Sequence, residues 1–203
     1  MSTMLAGRPA RRPRVTRAVL VVLAVTALLL GGACSSDEDD PAPKVPKGFE
    51  VPSGVTITDA GSTVAVGKTA TVVYDPGAAP TAVSVRVDSI TKGSIKDFRF
   101  FSLDASAKKS VPYYVRVTAR NRGPAGLGGA TLPIFARSSA NTLYPANELV
   151  GSFKPCPTAK LPQSFLAGAN ASICLIYLIP EGEKLASIDI QPGSEKDAVR
   201  VKP

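Results

Sequence analysis

The 203-residue chain contains no histidine. That absence excludes the Ser-His and Cys-His arrangements on which most nucleophilic hydrolases depend. With only three cysteines it also leaves too few ligands for a structural zinc site. Ser-Lys chemistry lacks its partners as well. The spacings Ser89–Lys92 and Ser106–Lys109 occur, but no Ser-Asp-Asn or Lys-Thr-Gly segment accompanies them. Ser89 ends a predicted strand, where residues three apart face opposite sides. Ser106 lies in the one short helix candidate, residues 103–109. Five carboxylates, Asp88, Asp97, Asp104, Glu148 and Asp189, share no motif and read as strand or turn surface. The glycine-rich loop 121–129 lacks the Gly-Lys-Ser/Thr ending and the following helix of a phosphate cradle, so it reads as a turn. Asp37 to Asp40 have neither the loop nor the glycine spacing of a calcium site. The expectation is a protein without catalysis, cofactor or metal.

Long apolar runs are also missing. Residues 18–30 form an uncharged stretch of 13 residues, short of the roughly 20 a spanning helix needs and suited to the core of an export signal. Arg8, Arg11, Arg12, Arg14 and Arg17 precede it with no acidic residue among them, which holds that end on the cytoplasmic side. Arg11-Arg12 is no twin-arginine signal, because Arg14 stands where that motif has an apolar residue. Gly31, Gly32, Ala33 and Cys34 follow, then Ser-Ser and an acidic, proline-containing stretch. This resembles the lipobox of bacterial lipoproteins. Gly31 stands where the family usually has leucine, and Leu30 lies one step further out. The resemblance implies a signal peptide at residues 1–33 and a diacylglyceryl group on Cys34. It also implies a mature chain held by that lipid on the outer face of the cell membrane. A plain secretory signal cut near Ala33, or an uncleaved anchor, is the other reading of the same residues.

Charge is unevenly spread. Setting aside the five signal arginines leaves 19 basic and 16 acidic residues. Residues 34–50 are net −3, and residues 51–203 are net +6. Residues 35–48 contain one large apolar residue, Val45, and should form a disordered, extended tether. The basic excess of the domain favours anionic lipid, a wall polymer or a protein partner, and is thin support for nucleic-acid binding. With Cys34 lipidated, Cys156 and Cys174 remain, and an exported chain can oxidise them to a disulfide. The alternative is a buried thiol at 174 and a loose one at 156. Cys174 lies in the most apolar stretch, so its sulfur is expected in the sandwich or under its edge.

Helical periodicity is nearly absent. Short β patterns fill residues 51–203 instead: 55–58, 61–66, 70–74, 81–90, 112–121, 131–138, 148–153, 171–179, 185–191 and 198–201, with 95–101 as strand or bent loop and 141–147 as a loop. Val83, Val85 and Val87 alternate with Ser84, Arg86 and Asp88. Tyr113, Val115, Val117 and Ala119 alternate with Tyr114, Arg116, Thr118 and Arg120. Each is a half-buried strand with one polar face. Residues 171–179 are apolar on both faces and read as a central strand covered on both sides, or as one bent between the sheets. Short strands split by Gly, Pro, Asn and Asp turns make an all-β antiparallel sandwich. Arg86, Arg116 and Arg120 form a candidate face for an anionic ligand, or a plain solvated face. Asn170-Ala-Ser172 matches a glycosylation acceptor, which a bacterial chain rarely uses.

Val-Gly-Lys-Thr-Ala (66–70), Tyr-Tyr-Val-Arg-Val-Thr-Ala-Arg-Asn-Arg-Gly (113–123), Leu-Ala-Gly (166–168) leading into the 171–179 strand, and Ile-Pro-Glu-Gly (179–182) resemble telokin-like, immunoglobulin-fold domains. Those occur in secreted and lipid-anchored proteins of Gram-positive, notably actinobacterial, bacteria. The resemblance covers roughly residues 61–202 and implies a two-sheet immunoglobulin-like sandwich with no catalytic residues. The function expected is a non-catalytic binding or structural module. Its rivals are a carrier holding a small or lipidic ligand between the sheets, and an unrecognised hydrolase.

Overall fold

The computed structural model describes residues 42–157 and 159–203. The signal, Cys34 and Asp37 to Asp40 lie outside them. Nine strands build two sheets. They are β1 (Thr63–Ala65), β2 (Thr69–Tyr74), β3 (Thr81–Lys92), β4 (Val111–Asn121), β5 (Ile134–Ser138), β6 (Leu143–Pro145), β7 (Asn170–Ile179), β8 (Leu185–Ile190) and β9 (Val199–Lys202). One sheet has the order β2-β3-β4-β7 and the other β1-β9-β8-β5-β6. All pairs are antiparallel except β1 with β9, which is parallel. The molecule is an immunoglobulin-like β-sandwich. Among the described residues no helix is long and apolar enough to cross a membrane.

The alternation in the sequence produces the core directly. Val83, Val85 and Val87 of β3 and Val115, Val117 and Ala119 of β4 point inward, with Ile173, Leu175 and Tyr177 of β7 beside them. They meet Ile134, Ala136, Ile188, Ile190, Val199 and Val201 of the other sheet. The Tyr177 hydroxyl spans the gap and donates to the Ile134 carbonyl at 2.8 Å. Leu127, Leu161 and Phe165 close one end. The space between the sheets is filled with side chains, which argues against a ligand carried there.

Several expected elements take other forms. Residues 55–58 are not a strand; Thr58 pairs with Thr71 at the edge of β2. Residues 95–98 form a 3-10 turn capped by Ser94, and the helix candidate shrinks to a 3-10 turn at 107–109. Part of the expected 141–147 loop is β6, which makes a hairpin with β5. Residues 148–153 are loop, because their apolar side chains Leu149 and Phe153 plug a second cluster on the outer face of the four-stranded sheet. Strand β7 lies at that sheet's edge, not its centre. It is apolar on both faces because this second cluster covers Cys174, Ile176 and Leu178.

The tether assignment also shortens. Residues 42–50 lie against the sandwich: Pro43 bridges Asp59, Ala60 donates to the Ala42 carbonyl, and Lys44 sits 3.9 Å from Asp197. The cause is Phe49, just past the polar run, which with Val55 packs on Ile57, Val73 and Ala82. That contact supplies the apolar burial that the preceding residues lack.

Candidate functional site

Strands β2, β3, β4 and β7 present their polar positions on one outer face. Register sets the neighbours: Arg86 lies opposite Thr69 and Thr118, and Arg120 opposite Ser84 and Asn170. Arg116 lies opposite Ser89 and Cys174. Arg116 and Arg120 are exposed. A bulge between Val87 and Ser89 leaves Asp88 as the extra residue of β3. Its carboxylate accepts from the Thr118 hydroxyl at 2.7 Å and pairs with Arg86.

The three predicted arginines do not share one site. Arg86 and Arg120 line a shallow hollow of about 280 Å³ with Thr69, Ser84, Thr118 and Asn170. Arg122 joins them there. It lies one residue past β4, but its backbone still donates to the Ala82 carbonyl, so the arginine alternation of 120 and 122 continues. That alternation is the signal in the sequence that points to Arg122. Arg116 lines a neighbouring hollow of about 250 Å³ with Asp88, Pro157 and Ser172, and reaches the Pro155 carbonyl at 3.4 Å. Among the described residues, the two hollows are thus lined by four guanidiniums and one carboxylate, Asp88. Hydroxyls and an amide between them can donate to an oxyanion. Planar guanidiniums on a rigid sheet suit phosphate or carboxylate groups.

Beside this face lies the second cluster. Tyr114, expected among the polar residues, is buried with Phe98, Phe153 and Ile176. Its hydroxyl donates to Asp97 at 2.8 Å. Burial first, then the bond to Asp97, pushes its pKa up. Cys174 also points to this outer side and not between the sheets, since it pairs with outward-facing Arg116. It forms a disulfide with Cys156, with Cα atoms 5.2 Å apart. The bridge pins the 149–157 segment to β7.

The remaining candidates resolve into structure. Ser89 and Lys92 take opposite-face positions on β3, opposite Arg116 and Tyr113. No hydrogen bond joins the Ser106 and Lys109 side chains among the described residues; Ser106 accepts at its carbonyl from Ser110. Asp97 and Asp104 cap the two turns, and Glu148 pairs with Lys160 at 3.2 Å. Asp189 is not surface but fully buried. It accepts from Arg137 at 2.8 Å and from Ser187 at 2.6 Å, while Arg137 also reaches Glu195 at 2.8 Å. Asn170 opens β7 and faces the arginine hollow. In the glycine-rich loop, Asn121 accepts from Thr81 and from Gly123, and Leu127 is buried, so the loop is a packed corner.

The fold and this face define a β-sandwich that presents one basic, polar sheet surface. No family model and no curated protein matches the chain. Among solved structures it is similar to MPT63, a secreted protein from Mycobacterium tuberculosis, at 14% identity, with 70% of this chain and 96% of that one covered and a TM-score of 0.45.

Proposed function

We propose that the protein is a lipid-anchored extracytoplasmic binding module without catalysis. It holds an anionic partner on the outer face of β2-β3-β4-β7, and Cys34 carries the anchor. The observation that supports the binding reading is the grouping of Arg86, Arg120 and Arg122 with Thr69, Ser84, Thr118 and Asn170 around one hollow. A polymer bearing phosphate or carboxylate groups, such as an anionic wall polymer, matches a sheet face whose positive charges repeat along β4 and one residue past it, at Arg116, Arg120 and Arg122, with Arg86 beside them on β3. Such a ligand is recognised mainly through charge, so its binding weakens with salt.

The test uses polyphosphate as probe. The wild-type chain should bind it at low salt and release it at high salt, and Arg120→Ala with Arg122→Ala should weaken binding about tenfold or more. Binding unchanged in the double variant ends the assignment of this face. The anchor has its own test. Cys34→Ser should leave the detergent phase or remain uncleaved by the lipoprotein pathway; mass spectrometry of an unmodified Cys34 in the native protein removes it.

A further inference from the structure

We propose that the loops over the second cluster form a contact surface for an anionic phospholipid bilayer. Phe100 is 82% exposed and Val150 is 97% exposed, the two most exposed large apolar side chains among the described residues. Both belong to loops that build one cluster. Phe98 stacks on Phe153 at 4.7 Å, and Phe101 meets Phe153 edge-on at 5.6 Å, which ties the 95–103 loop to the 149–153 loop. Two apolar side chains therefore project from adjoining, internally fixed loops. Exposed apolar residues scattered singly are ordinary, but apolar side chains grouped within a polar rim mark contact sites.

The charges around them choose the partner. Residues 92–109 carry Lys92, Lys96, Arg99, Lys108 and Lys109 against Asp97 and Asp104. All five cations are exposed. Both carboxylates are engaged, Asp97 by Ser94 and Tyr114, Asp104 by the backbone of Ala107. Arg99 lies over the Phe100 ring at 4.5 Å, so the aromatic tip carries a cation with it. Lys96, Arg99 and Lys108 border a hollow of about 600 Å³ whose floor is Ile95, Phe98 and Leu103. An exposed Phe100 among five exposed cations, next to an apolar-floored hollow, matches acyl chains beneath anionic headgroups. An acidic protein surface would match the cations but leave Phe100 and Val150 without apolar burial.

The contact lies far from the tether. Phe100 follows the Lys92 end of the 12-residue β3, while residues 42–46 pack near Val73 and Asp197 at the other end. The inference depends on the anchored reading only for bringing the domain to a membrane.

The chain has no tryptophan, so Phe100→Trp installs a single indole reporter at a solvent-exposed position in the full chain. The protein is reconstituted with vesicles of phosphatidylglycerol and phosphatidylcholine, or of phosphatidylcholine alone, with and without brominated acyl chains. The indole emission of the Phe100→Trp chain should shift to shorter wavelength and be quenched by the brominated chains in the anionic vesicles only. Lys96→Gln or Arg99→Gln should each weaken that contact about fivefold. Leu166→Trp, made separately in a different exposed loop, should keep its water-exposed emission. Emission of the Phe100→Trp chain that stays water-exposed in anionic vesicles, or quenching of equal extent in neutral ones, overturns the inference. An anchored chain whose reporter remains in water removes the contact and leaves the anchor standing. A Cys34→Ser chain quenched by added anionic vesicles keeps the contact without the anchor.

Discussion

Arg137 and Asp189 carry the largest single-residue risk in the domain. Asp189 is fully buried and Arg137 nearly so, with guanidinium and carboxylate 2.7 Å apart. Removing Arg137 leaves the Asp189 charge buried with only the Ser187 hydroxyl and a more distant Arg200, 3.8 Å away, to compensate it. Arg137→Ala should therefore cost about 3–5 kcal/mol in urea unfolding. Replacing both at once, as Arg137→Met with Asp189→Leu, should cost far less. Equal losses for the single and double changes would refute an ion-pair origin. Tyr177 gives a residue-scale pH effect. Burial pushes its phenol pKa up in the folded state. The unfolded chain releases that proton near pH 10, so stability is intact below about pH 10 and falls as pH rises above it. Tyr177→Phe should lose about 1 kcal/mol at neutral pH, for the bond to Ile134, and flatten the alkaline fall in Tm.

At the scale of elements, β4 tests register. Val117 is buried and Arg116 exposed. Val117→Asp should unfold the domain by burying an unpaired charge, while Arg116→Ala should change stability by about 0.5 kcal/mol or less. Similar losses for both would mean that the faces are misassigned. The disulfide closes a loop of 18 residues' separation and should contribute about 3 kcal/mol. The Cys156→Ser, Cys174→Ser pair should lose that amount and speed amide exchange in residues 149–157. Strands such as β3 and β4 are legible in the sequence because period two needs only one buried face, and the arginine face comes with them. The 148–153 loop and the position of β7 are not. Leu149, Phe153 and Ile176 are apolar because loops cover the outside of a sheet, and a sequence pattern records burial without saying what does the covering. Asp189 escapes a sequence reading for a related reason: its partner Arg137 lies 52 residues away, at no spacing that a motif could announce.

For the whole molecule, acid tests how the segment before β1 is held. Asp197 accepts from the Ser194 hydroxyl at 2.6 Å and faces Lys44. The Ser194 bond is the main cause that holds its carboxyl below the usual 3.8. A lowered folded-state pKa stabilises above the unfolded value, and that contribution fades as pH falls below about 4. Asp197→Asn should flatten the acid side of the Tm profile; an unchanged acid limb would show that other carboxylates set it.

The parallel pairing of β1 with β9 has a consequence in time. Thr63 meets Arg200, and β9 fills the place between β1 and β8. Until residues 199–202 have been made, β1 has no neighbour in its sheet and β8 has an open edge. A contact this distant in sequence forms late and makes folding slow. Deleting residues 199–203 should leave the chain unfolded by circular dichroism. During synthesis the nascent chain therefore lacks the finished sandwich, and its second sheet closes only when residues 199–202 arrive.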